Sequence, residues 1–279
     1  MNNLQDKVVV ITGAGSGIGR ALAEAFIQEG CHLALNDYKV ESLAETIRKV
    51  ANNTGQKVIQ MPFDVANRDA MLHFSEKINA EFGRADIMIN NAGVALGKVT
   101  GEDLPMEDFE WLMGINFWGM IYGSKYFLPL LKKQNEAALV NISSIFGLAG
   151  IPYQAAYCAA KFGIRGYTES LMQEAMLEYP HVTIHCVHPG GINTAISNNS
   201  RKSDKNISQT EHEKISQEFN KLLVTPASDM ANYIVQCIKK KKQRIVYGEN
   251  SGMIDFLTRF LPNRYKKILT GRIRREGMF

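Results

Sequence analysis

Tyr157 and Lys161 stand four residues apart in the run Ala155-Ala156-Tyr157-Cys158-Ala159-Ala160-Lys161. On a helix that spacing puts both side chains on one face, where one ammonium can act on a phenol and on the hydroxyls of a bound ribose. A free tyrosine ionises near pH ~10, too high for a base at neutral pH. A neighbouring ammonium favours the phenolate and moves the group toward the working range, where it can take a proton from an alcohol or return one to a carbonyl oxygen. Taken alone, the same spacing is common on exposed helices and is equally a solvated surface pair.

A second cluster lies near the amino terminus. Gly13, Gly17 and Gly19, in the run Gly13-Ala14-Gly15-Ser16-Gly17-Ile18-Gly19, follow a β-branched stretch at 7–12 and open a helical one. Glycines so placed suit a tight turn that brings backbone N–H groups and a helix N-terminus up to a diphosphate, because a Cβ would block the approach. Asp37 falls 18 residues beyond Gly19, at the end of the next strand. A carboxylate there binds the 2′ and 3′ hydroxyls of an adenosine ribose and repels a 2′-phosphate, which favours NAD(H) over NADP(H). The alternative is a helix-capping aspartate beside a purely structural glycine turn.

These residues need a scaffold, and the chain alternates strands with helices. Strands are predicted at 7–12, 32–36, 58–63, 87–90, 138–142, 182–188 and 244–247, and helices over 21–30, closed by Gly30, and over 40–51, 69–82, about 106–131, 155–179 and 226–240. Short apolar runs separated by helices of this length predict a doubly wound parallel sheet, a Rossmann-type three-layer α/β/α domain, with helices on both faces. Two segments break the alternation: a polar stretch rich in Ser, Asn and Lys at 194–223, and the tail after Gly248.

Composition excludes other classes. The 279 residues are 45% hydrophobic and 22% charged with 8 Pro, which rules out a disordered, collagenous or coiled-coil chain. No apolar run reaches the ~18 residues of a membrane span, and no export signal is read at the amino terminus. The four cysteines, Cys31, Cys158, Cys186 and Cys237, are widely spaced and predict a reducing, cytoplasmic location. The six histidines lack metal-ligand spacing, so no metal is expected. Residues 239–279 carry twelve Lys and Arg against three acids, a net +9, leaving −5 for the rest. A mildly acidic body with a basic tail gives little reason to expect nucleic-acid binding.

The ordered set of motifs resembles the short-chain dehydrogenase/reductase family over roughly residues 6–248. It comprises Thr12-Gly13-Ala14-Gly15-Ser16-Gly17-Ile18-Gly19, Asp64-Val65, Asn90-Asn91-Ala92-Gly93, Asn116, Ser144, Tyr157-x-x-x-Lys161 and Pro189-Gly190-x-x-x-Thr194. The resemblance implies a catalytic tetrad: Tyr157 as acid/base, Lys161 as its modulator, Ser144 as donor to the substrate oxygen, and Asn116 as holder of a water in a proton relay. Ser144 is preferred to Ser143 on the family's serine-to-tyrosine spacing alone. It further implies that Gly13, Ser16, Gly17, Ile18, Gly19 and Asp37 hold the cofactor, that Asp64 and Val65 flank its adenine, and that Asn91, Ala92 and Gly93 line its inner edge. Thr194 would hold the nicotinamide carboxamide, alongside Pro189, Gly190, Ile192, Tyr157 and Lys161. The substrate would lie beside Val94, Ala95, Ser144, Phe146, Leu148, Ile151, Tyr153, Ile192 and Ile196, a mainly apolar set that favours a hydrophobic secondary alcohol or ketone. An NADPH-dependent carbonyl or 3-oxoacyl reductase, and a nucleotide-sensing regulator without turnover, are the rival readings.

By the same resemblance residues 194–223 match a variable lid, and the long helices around Asn116 and Tyr157 form a homodimer contact, with a homotetramer as the other arrangement. In the extension at 249–279, Met253, Ile254, Phe256, Leu257, Phe260 and Leu261 recur at helical spacing ahead of Arg264, Lys266 and Lys267. Packing of this stripe on the body or a neighbouring subunit is preferred to contact with an anionic membrane, because Asp255 and Pro262 interrupt it.

Overall fold

The computed structural model describes residues 1–51 and 55–276, so the last three residues of the extension lie outside the described part. In chain order the elements are β1 (Val8–Ile11), α1 (Gly17–Gln28), β2 (His32–Leu35), α2 (Val40–Val50), β3 (Val58–Gln60), α3 (Arg68–Phe82) and β4 (Ile87–Asn90). There follow α4 (Met106–Met113), α5 (Gly119–Leu131), β5 (Ala137–Ile142), α6 (Ala155–Glu178), β6 (Val182–Pro189) and β7 (Ile192–Asn193). The chain continues through α7 (Gln209–Asn220), β8 (Thr225–Pro226), α8 (Ala227–Lys239), β9 (Arg244–Tyr247), α9 (Ser251–Phe260) and α10 (Tyr265–Glu276).

Seven strands form one parallel sheet in the order β3-β2-β1-β4-β5-β6-β9, so the expected Rossmann-type architecture is the one observed. Strand β1 explains why its sequence is apolar without alternation. Val9 and Ile11 pack into the layer of α1 and α8, while Val8 and Val10 pack into the layer of α3, α5 and α6. The order reverses between β1 and β4, and that reversal opens a crevice at the carboxyl ends of the strands. Asn67 caps α3 by accepting the N–H groups of Asp69 and Ala70, and Gly83 ends that helix in the left-handed conformation.

Three features depart from the predicted elements. The single helix expected over 106–131 is divided by one wide turn at Gly114–Trp118, in which the Gly119 N–H reaches back to the Gly114 carbonyl. The polar stretch at 194–223 contains α7, whose N-cap Ser208 accepts the Glu211 N–H. The extension forms α9 and α10 rather than an isolated stripe. Among the described residues no helix is long and apolar enough to cross a membrane.

Two histidines inside the sheet make the fold acid-sensitive. His185 and His188 on β6 are fully buried, and their Nδ1 atoms lie 2.8 Å from the Lys242 carbonyl oxygen and 3.2 Å from that of Ser144. A carbonyl only accepts, so each Nδ1 carries the proton and each ring is neutral. Burial lowers both groups to about 4, against 6.5 for a free ring. Between those values the unfolded chain binds more protons than the folded one, so stability rises with pH there and is lost as pH falls from 6.5 through about 4. Moving from pH 7 to pH 5 is expected to cost about 2 kcal/mol per histidine. Denaturant unfolding of the wild type and of His185→Gln at both pH values tests this: an equal pH dependence in the two proteins would contradict it.

Candidate active site

The glycine turn stands over the carboxyl end of β1. Gly17 has φ +53°, and a Cβ there would lie 3.1 Å from the Thr194 methyl, so the turn and Thr194 face each other across a narrow gap. A Cβ at Gly19 would collide with the Gly13 carbonyl, which is why the third glycine sits beneath the turn rather than on the crevice wall. The turn is held from below by Asn91, whose Nδ2 donates to the carbonyls of Thr12 (2.9 Å) and Gly13 (3.1 Å). The Thr12 hydroxyl in return accepts the N–H groups of Asn91 and Ala92.

Asp37 is half-buried at the exit of β2, and its two carboxylate oxygens accept the N–H groups of Gly15 (2.9 Å) and Lys39 (2.8 Å). It therefore fastens the glycine turn and leads into α2, and each oxygen keeps a further lone pair. Arg20, which reaches the turn through the Gly15 carbonyl, is consumed by a fork to Glu45 (2.8 and 2.9 Å) with a further bond to Thr46. Asp64 closes its own turn by accepting the Ala66 N–H, and Val65 packs under Gly119.

At the other end of the crevice Ser143 and Ser144 divide their duties. The Ser143 hydroxyl is buried and donates to the Lys161 carbonyl at 2.8 Å, which makes it a structural clamp between β5 and α6. The Ser144 Oγ accepts the Phe146 N–H at 3.1 Å and keeps its own proton for another partner. Beneath them runs a buried chain of side-chain hydrogen bonds: Asn90 to Asn141 (2.8 Å) and to Ser124 (3.0 Å), then Asn141 to Thr168 (3.0 Å). It ties together the strands that carry Asn91 and Ser144 and the helix that carries Tyr157, and fixes their relative height.

Tyr157 meets the Phe146 ring edge-on at 5.9 Å, and Lys161 Nζ lies 5.5 Å from the centre of the tyrosine ring. Burial pushes the phenol up to about 12, against the pull of the Ser144 hydroxyl, and pushes the lysine down to about 8. In the protein alone the phenol thus stands above its free value, whereas the expected lowering concerns Lys161 joined by the positive nicotinamide of NAD⁺. Desolvation dominates both groups, and the Lys161 ammonium is turned to the Ile142 carbonyl at 2.9 Å. At neutral pH the pair stands as a neutral phenol beside a largely charged ammonium.

Asn116 lies behind the crevice wall, in the wide turn, where its side chain clasps the backbone of Val94 by accepting the N–H (2.7 Å) and donating to the carbonyl (2.9 Å). A Cβ on Gly93 would lie 3.4 Å from Asn116 Oδ1 and 3.8 Å from Lys161 Nζ, so the three residues meet around one point.

One cleft of about 710 Å³ joins the two ends. Its wall brings together Gly13, Ser16, Gly17, Ile18, Asp37, Asp64, Val65, Asn91, Ala92 and Gly93 with Ser144, Tyr157, Lys161, Pro189, Gly190, Ile192 and Thr194. Val94, Ala95, Phe146, Ile151 and Ile196 of the predicted pocket are on it as well. Two expected pocket residues are not. Leu148 is buried in a small apolar cluster with Ile145 and Ala149, and Tyr153, at φ +64°, faces outward with Lys98 over its ring. The sequence reading missed Trp111, Arg201, Phe219 and the tail residues Met253, Ile254, Leu269 and Ile273, which also line the cleft. Arg201 joins the polar stretch to the body, stacking on Trp111 at 3.6 Å and pairing with Asp108 at 2.9 Å. Among the described residues no group of three or more His, Cys, Asp or Glu could hold a metal.

A family model described as short chain dehydrogenase matches residues 7–205. SadH of Mycobacterium tuberculosis, named as an oxidoreductase, is 38% identical over 275 residues, 98% of this chain and 97% of that protein. A short-chain dehydrogenase/reductase from Burkholderia phymatum, solved in complex with NAD, superposes with a TM-score of 0.85 at 26% identity, covering 96% of both chains. An alcohol dehydrogenase from Thermococcus sibiricus, complexed with 5-hydroxy-NADP, gives a TM-score of 0.69 at 26% identity, covering 86% of this chain and 94% of that one. The match over most of the chain, and the relative that spans nearly all of it, establish that this protein belongs to the short-chain dehydrogenase family of NAD(P)-dependent oxidoreductases.

Proposed function

We propose that the protein interconverts a hydrophobic secondary alcohol and its ketone with NAD(H) as the preferred cofactor. The observation that carries this is the convergence of the Ser144 hydroxyl, the Tyr157 phenol and the buried Lys161 on the same cleft as the glycine turn. The glycine turn and Thr194 supply the cradle for a dinucleotide, with room at Gly17 that any side chain would fill. When bound, the nicotinamide takes or gives the hydride at the substrate carbon.

The rest falls to the protein. Ser144 donates to the substrate oxygen and stabilises charge as it develops. Tyr157, a neutral phenol in the protein alone, gives its proton to that oxygen in reduction and takes one back in oxidation. The Lys161 ammonium holds the ribose and draws the phenolate form within reach once a second positive charge stands nearby. Asn116 carries the relay outward through a held water, from the point where it meets Gly93 and Lys161.

The preference for NAD(H) is supported by Asp37, and by an Arg20 whose charge and donors are already taken by Glu45 and so are not offered to a 2′-phosphate. The NAD in the Burkholderia structure agrees with it, whereas the Thermococcus enzyme holds an NADP derivative. A homodimer or homotetramer built on α5 and α6, and a cytoplasmic location, belong to the same reading; the half-exposed Trp118 and Phe162 and the four buried thiols support them.

The test is NADH absorbance with NAD⁺ or NADP⁺ and secondary alcohols graded from short chains to sterols. Turnover with NAD⁺ is expected to exceed that with NADP⁺ at least tenfold. Tight NADH binding with no reaction in either direction would favour a sensing role instead.

A further inference from the structure

The sheet order fixes which end of the cleft belongs to the carboxyl-terminal extension. The adenosine end, at Asp37, stands over β2, and the strands then run through β1, β4 and β5 to β6 and the edge strand β9. The extension leaves from β9, so it covers the end of the cleft farthest from Asp37, beyond Tyr157. Arg244 on β9 anchors it through a fork to Asp255 of α9 at 2.7 and 3.1 Å.

From the reacting centre a continuous path of apolar contacts leads into this extension. Phe146 touches the Tyr157 ring on one side, and on the other packs on the cluster formed by Ile145, Leu148, Ile254 and Leu269. Ile254 of α9 and Leu269 and Ile273 of α10 then line the same cleft as Ser144 and Tyr157. The extension lies beyond residue 205, where the match to the family model ends.

We infer that α9 and α10 form a subsite for an unbranched aliphatic chain, which runs from the reacting carbon past Phe146 to Ile273. Resting on the reading of Tyr157 and Ser144 as the reacting centre, this narrows the substrate class to secondary alcohols and ketones that carry such a chain on one side. Glu249, Asn250 and Arg272 also line this end, with Arg272 donating to Asn250 Oδ1 at 3.3 Å, while the side chains of Ile254, Leu269 and Ile273 supply the apolar wall that rewards each added methylene until the chain reaches α10.

Binding tests this without requiring turnover. Methyl ketones from 2-butanone to 2-dodecanone are titrated calorimetrically into the full-length protein saturated with NAD⁺, a pair that cannot react because no hydride donor is present, for the wild type, Ile273→Trp and Ile273→Ala. Wild-type affinity is expected to rise by about threefold per methylene and then level off. Ile273→Trp is expected to weaken the longest ketones at least tenfold while leaving 2-butanone and NAD⁺ within about twofold, and Ile273→Ala to move the plateau to a longer chain. Superimposable chain-length profiles in all three proteins would overturn the subsite. So would a uniform loss at every length, which would mean that α10 merely supports the fold. Turnover by Tyr157→Phe would refute the assignment of the reacting centre and leave the chain-length result standing, so the two failures are distinct.

Discussion

Tyr157→Phe is expected to lower kcat by about 10³-fold in both directions while NADH binds within about twofold of the wild type. The substitution removes one oxygen from a half-buried ring that is held edge-on to Phe146, so packing and fold are retained. What is lost is the phenol that the cleft sets in hydrogen-bond reach of the Ser144 hydroxyl. Because burial holds the phenol at about 12 in the protein alone, alcohol oxidation by the wild type should rise with pH across the neutral range, and ketone reduction should not. Steady-state rates at pH 6 to 9, with stopped-flow NADH binding as the control, decide the matter. A Phe variant retaining more than about a tenth of the activity would remove Tyr157 from the chemistry.

The second large effect concerns Asp37. Asp37→Asn keeps a side-chain oxygen for the Gly15 N–H and removes only the charge. Two unit charges 4 Å apart near a protein surface interact by about 4 kcal/mol, and solvent screening of this half-exposed group brings the usable part to about 2 kcal/mol. The ratio of kcat/KM for NADP(H) over NAD(H) is therefore expected to rise about 30-fold. An unchanged ratio with intact folding would mean that Asp37 acts only as the clasp of the glycine turn.

The parts of this protein legible in the sequence are those whose cause is local. A β-branched run flanked by Gly13 and Gly17 marks β1 and the turn with no reference to the rest of the chain, and Tyr157 and Lys161 need only helical spacing to share a face. The strand-helix alternation likewise predicted the sheet and nearly every boundary to within a few residues. What stayed hidden is set by distant contacts. Nothing near Ser143 indicates that its hydroxyl is spent on Lys161, and the Asn90–Asn141–Thr168 chain joins residues that are 51 and 27 positions apart. The direction of the Tyr157 shift depends on how much of the ring is covered, which residue spacing does not contain. The tail showed its helical stripe, but its place against Ile145 and Leu148 follows from the sheet order. Phe256 and Phe260 of that stripe stay exposed, their rings 4.8 Å apart and tilted by 36°, so the tail packs through one face only.

The wide turn at Gly114–Trp118 sets how the chain around Asn116 would tolerate a change of length. A helix that closes one turn over five residues instead of four accommodates a single extra residue while the segments on either side keep their faces toward the core. Within an ordinary helix, a one-residue deletion rotates everything downstream by about 100° and unseats the packing. Here the same deletion would restore regular winding and leave α4 and α5 in phase, while withdrawing Asn116 from Val94. Scaffold and side-chain placement come apart at this point: removing one residue of the turn is expected to leave a folded protein in which Asn116 no longer clasps Val94.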